Sequence, residues 1–117
     1  MVEVGGININ INMNNEYEKF LFILSESERI EKSNEFITTK VMKLLLIRGH
    51  IVKNSFTVVC DKDGGRLEEY IIVDNKHYVV FYHNTQEFYY MNEKGERFLM
   101  PSKTPMDVVR YLKYICL

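Results

Sequence analysis

The chain has no alanine among its 117 residues, and glycine, proline and arginine are scarce beside Ile, Asn, Lys, Phe, Tyr and Met. Codon bias accounts for this better than protein physics does. It fits an AT-rich genome, such as that of a virus, a plasmid or an AT-rich microbe. Only two cysteines are present, Cys60 and Cys116. That excludes a disulfide framework, and two buried thiols in a reducing cytoplasm are expected. No apolar run approaches the ~20 residues that cross a bilayer. The start, MVEVGGININ, has no basic segment, so no secretory leader is expected. An excess of one charge is also missing: 15 cations against 16 acids give a net charge of −1. Global attraction to nucleic acid or to an anionic membrane is therefore not expected.

Chemical signatures are equally sparse. There is no glycine-rich phosphate loop, HExxH, GxSxG or pair of catalytic carboxylates. His77 and His83 lie on one face of a predicted strand but roughly 20 Å apart, too far to share a metal. Neither cysteine has a CxxC partner. No metal, cofactor or catalytic residue is expected.

What is present is a legible β-meander. The pattern predicts an α+β fold: a five- to six-stranded antiparallel meander packed against two N-terminal helices and one C-terminal helix. The length suits one domain, 1–117. Ile7-Asn8-Ile9-Asn10-Ile11-Asn12-Met13 alternates like a half-buried strand. The segment 1–13 would be loosely attached, or would pair with a second chain. Asn14 or Asn15 caps a first helix with an apolar stripe at Tyr17, Phe20, Leu21 and Leu24. Ser25–Lys32 is polar and is expected to fray or turn. Ser33 or Asn34 caps a second helix, which Gly49 stops. The last helix opens with Thr104-Pro105-Met106-Asp107: a cap, a proline at the first position and an acid in the first turn.

Turn chemistry sets the expected register. Asp61-Lys62-Asp63-Gly64 reads as a type I turn with a bulge, placing Cys60 opposite Arg66 and Phe56 opposite Tyr70. Asp74-Asn75 places Tyr70 opposite Val79. Asn84-Thr85 places Val79 opposite Tyr90, and Asn92–Gly95 places Tyr90 opposite Phe98. One face then carries Phe56, Val58, Tyr70, Ile72, Val79, Phe81, Phe88 and Met100, interrupted only by Glu68. The other is amphipathic: Leu67, Ile71 and Val80 stand among Glu69, Tyr78, Tyr82, Glu87, Tyr89 and Arg97. Tyrosine with arginine is common at protein interface hot spots. These six polar residues are the candidate partner-binding set, for a protein partner or a second copy of the chain.

Three weaker candidates accompany it. The register aligns Cys60, Arg66, His83 and Gln86 in one row, with Cys60 and His83 roughly 9–10 Å apart; a polar sheet rim is the simpler account. Glu68, if buried on the apolar face, could serve as an acid or base; pairing with Arg66 at a strand end is the simpler account. The segment 38–53 carries Lys40, Lys43, Arg48 and Lys53 without an acid. Followed by a hairpin, it resembles a winged helix-turn-helix, which implies DNA binding.

The order of elements also resembles the helix-grip arrangement of START and Bet v1-type lipid-binding proteins. That resemblance is topological, and it implies a small apolar ligand in a cavity walled by Glu68 or Cys60. Tyr89-Tyr90, Gly95, Phe98 and Arg110-Tyr111-Leu112 resemble the strand–turn–strand–helix of methyl-CpG-binding domains. The leading expectation is a small cytoplasmic accessory protein, non-enzymatic and of viral or plasmid origin, that works by protein–protein contact.

Overall fold

The structure is a computed structural model that describes residues 3–4, 7–8, 15–62, 64–102 and 104–115. Gly5, Gly6, Ile9–Asn14, Asp63 and Cys116, all used above, lie outside the described residues. The chain forms two compact units, Met1–Ser33 and Asn34–Leu117.

In the first unit, β1 (Glu3–Val4) and β2 (Ile7–Asn8) pair antiparallel with each other, in a two-stranded sheet separate from the meander. Helix α1 spans Glu16–Lys32. Asn15 caps it, its side chain accepting from the amides of Tyr17 at 2.7 Å and Glu18 at 3.4 Å. The polar half that was expected to fray stays helical. Two ion pairs one turn apart, Arg29–Glu26 at 2.8 Å and Lys32–Glu28 at 2.7 Å, support it. The acids Glu16 and Glu18 at its start and the cations Arg29 and Lys32 at its end suit the helix dipole.

The second unit is the α+β body. Helix α2 (Ile37–Ile47) is followed by a five-stranded antiparallel sheet in chain order. The strands are β3 (Val52–Asp61), β4 (Gly64–Val73), β5 (His77–Tyr82), β6 (Glu87–Met91) and β7 (Arg97–Leu99). Helix α3 (Pro105–Ile115) closes the fold. The cap of α2 is Phe36 rather than Ser33 or Asn34, without a side-chain bond. Gly49 stops the helix in the left-handed region, at φ 90°, while His50 N returns to Leu45 O. At α3, Thr104 Oγ1 accepts from Asp107 N and Asp107 Oδ2 accepts from Thr104 N, a reciprocal cap.

The last two hairpins have the expected register, with Val79 opposite Tyr90 and Tyr90 opposite Phe98. The first two each slip by one residue. Phe56 faces Glu69, and Cys60 faces Gly65 rather than Arg66. Tyr70 faces Val80 rather than Val79. At the second turn, Asp74 and Asn75 do take positive φ (54° and 59°), and Lys76 N bonds Val73 O. Pairing nevertheless resumes at Val73–His77, leaving Lys76 as an extra residue.

The two slips cancel between β3 and β5, so β4 alone presents opposite faces to those expected. Its Ile71 and Val73 join Val79, Phe81, Phe88 and Met100 in the core, with Val41, Leu44 and Leu45 of α2 and Val108, Val109 and Leu112 of α3. Burying such side chains contributes about 1.5–3 kcal/mol each. The expected register would instead have set Arg66, Glu68 and Tyr70 against the helices. Burial and charge pairing therefore override the local turn signal at the Gly64-Gly65 corner. The row of Cys60 with Arg66 is lost, because Arg66 points to the other face, opposite Val59. Cys60 itself is exposed, not buried.

Candidate functional site

The flip of β4 assembles a cluster on the sheet face turned away from α2 and α3. Glu68 sits opposite Tyr82, which sits opposite Glu87. The Glu68 carboxylate is fully buried. Arg66 Nε donates to its Oε2 at 2.7 Å. Arg97 Nη1 and Tyr70 Oη donate to its Oε1 at 2.9 and 3.0 Å. Arg97 also donates to Tyr82 Oη at 2.7 Å and to Tyr70 Oη at 3.2 Å. Both guanidinium carbons lie 5.6 Å from the Tyr82 ring centroid, within cation–π range. Tyr82 and Tyr89 rings approach to 4.4 Å, and Tyr89 Oη donates to Glu87 at 3.4 Å.

The electrostatics hold these groups in their ordinary charge states. Burial pushes the Glu68 carboxyl up, but donation from Arg66, Arg97 and Tyr70 outweighs it and keeps it below the usual value. For Arg97, burial acts to lower the pKa; Tyr82 and Glu68 more than offset this, and the net shift is upward. Burial first, then the neighbouring carboxylates, raise Tyr70 and Tyr89. Each shift moves a group further from neutral pH.

Of the six predicted partner-binding residues, the structure brings five to this face: Tyr78, Tyr82, Glu87, Tyr89 and Arg97, all half-buried. Glu69 is the exception. It lies on the helix-covered face, buried, where it meets His83 Nε2 at 2.9 Å and accepts from Asn54 Nδ2 at 2.9 Å. His83 in turn stacks on Phe36. Arg66, Glu68 and Tyr70 are the members that the expected register missed. The signal was inside β4 itself: Arg66, Glu68 and Tyr70 alternate with Leu67, Ile71 and Val73, and the second set is the better core.

The basic segment is dispersed. Lys43 pairs with Glu35. Arg48 donates to Leu44 O at 2.9 Å and approaches Met106 Sδ at 3.6 Å. Lys40 is half-buried on α2, and Lys53 is exposed on β3. Of the two residues expected to wall a helix-grip cavity, Glu68 lies on the face away from the helices, and Cys60 is exposed. A cleft of about 530 Å³ opens elsewhere, between Ile37 at the start of α2, the Thr85–Gln86 turn and Pro101–Ser102 after β7.

Two further histidines lie outside the cluster. His50 Nδ1 lies 2.9 Å from Asp74 Oδ2, and the Ile51 amide donates to Asp74 Oδ1 at 2.9 Å. Neither ring nitrogen of His77 has a hydrogen-bond partner among the described residues. Among the described residues, no group of three His, Cys, Asp or Glu side chains could hold a metal ion. No described helix is long and apolar enough to cross a membrane. No protein family, curated protein or solved structure matches the chain.

Proposed function

We propose that the protein is an interaction module that engages a protein partner through the face of Tyr78, Tyr82, Glu87, Tyr89 and Arg97. One observation carries this reading: Arg97 and Tyr82 are tied to a buried carboxylate on the sheet face opposite Phe81 and Val79, where the tyrosines keep part of their surface in solvent. Tyr and Arg are the residue types enriched at interface hot spots. A platform fixed before binding loses little side-chain entropy when a partner docks. We assign it the role of an accessory factor in a reducing cytoplasm, of the kind that an AT-rich virus or plasmid carries.

The test is affinity capture with matched variants. A partner bound by the wild-type chain should be lost with Tyr82→Ala, by about 2 kcal/mol in affinity or more. It should be retained with Lys40→Ala on α2. Equal retention by both variants overturns the reading.

A further inference from the structure

The sheet has one long unprotected edge. Among the described residues, strand β3 pairs only with β4, and it is exposed along almost its whole length from Val52 to Asp61. An edge strand carries backbone donors and acceptors with no ladder partner, and proteins commonly blunt such edges with prolines, bulges or several charges. Here β3 has no proline, and its two charged residues, Lys53 and Asp61, lie near its ends. It also presents Phe56 and Val58 with 56% and 66% of their surface in solvent. Both stand on the helix-covered side of the sheet, beyond the reach of the core.

We propose that β3 is a self-association edge, pairing antiparallel with β3 of a second copy about a two-fold axis through Thr57. The sequence of the strand selects this register. With Thr57 on the axis, Lys53 lies opposite Asp61 of the second copy, and Asp61 opposite its Lys53. Phe56 lies opposite Val58 of the second copy, and the reverse. The paired segment is Lys53–Asp61, with opposite charges at both ends and four apolar side chains around the axis. Opposite-charge and aromatic–β-branched cross-strand pairs are both stabilising. Sliding the strands by two residues in either direction loses the two ion pairs and the two Phe–Val pairs together. Residues directly opposite share a face, so the apolar side chains meet on one side of a continuous ten-stranded sheet. This surface is distinct from the tyrosine face, and the inference does not rest on the proposed partner.

Sedimentation velocity on the full chain tests it. The expected result is a reversible dimer that Val58→Arg converts to monomer. Val58 is exposed in the protomer, so its replacement should leave near-ultraviolet dichroism and thermal unfolding of the protomer unchanged. Should that variant fail to fold, the charge series decides. Lys53→Glu and Asp61→Lys should each weaken dimerisation roughly five- to tenfold by setting like charges opposite each other. The double exchange should restore it. A chain that stays monomeric up to about 1 mM, or a dimer indifferent to these changes, overturns the proposal. So does a double exchange that fails to restore the dimer.

Discussion

Glu68 is the residue on which most of the polar face depends. It is buried, and it satisfies Arg66, Arg97 and Tyr70 at once. Removing one member of such a set leaves the others unpaired. Because Arg66 and Arg97 stay partly in solvent, the loss should fall toward the lower end for buried pairs. Glu68→Ala should destabilise the fold by about 3 kcal/mol in a urea titration. The pH dependence has a definite sign. The folded carboxyl lies below its ordinary value, so its contribution is complete above about pH 4.5 and fades as pH falls through the folded value. Glu68→Gln should therefore flatten the acid limb of a stability–pH curve. His77 acts at a different pH. Burial, with Lys76 adding to it, lowers its pKa, so the folded state resists protonation. Wild-type stability should then fall as pH drops below about 6.5. His77→Leu should remove that slope and stabilise the protein at neutral pH by about 1 kcal/mol, since its ring nitrogens make no hydrogen bond among the described residues. A destabilised His77→Leu chain would show that the ring is held by packing instead.

At the scale of elements, the terminal hairpins and the last helix were legible because each obeys one local rule. Gly95 takes φ 81°, and the Asn92 side chain accepts from Lys94 N and Glu96 N. Gly95→Ala should destabilise that hairpin by about 1 kcal/mol. Thr104→Ala should weaken α3 by a similar amount, about 1 kcal/mol, read in the same urea titration. Helix α1 was only half legible, since its second half is held by ion pairs rather than an apolar stripe. Strand β4 departs from its expected faces because its own alternation outweighs the two flanking turn signatures. Gly64-Gly65 and Asp74-Asn75-Lys76 each tolerate more than one closure, and a one-residue change at either corner exchanges every side chain of β4 between faces. Of the expected set, the residues of β5, β6 and β7 consequently share one face, and Glu69 alone lies on the other.

At the scale of the molecule, the two proposals occupy different surfaces, and their geometry links them. A two-fold axis perpendicular to the sheet sets both helix layers on one side and both tyrosine faces on the other. A dimer formed through β3 would therefore offer two copies of the Arg97–Tyr82 platform in the same direction. Two linked sites gain in effective concentration on a surface that displays many partners, with no new contact made. Surface binding measurements can separate the two effects. On a sparse layer of captured partner, wild type and Val58→Arg should dissociate at the same rate, because each platform acts alone. On a dense layer, wild type should dissociate at least tenfold more slowly, whereas Val58→Arg should show no density dependence. Tyr82→Ala should lose binding on both layers while sedimenting as the wild-type dimer. If Tyr82→Ala also dissociated the dimer, the tyrosine face and the self-association surface would be one and the same, and the β3 edge would not be the dimer contact.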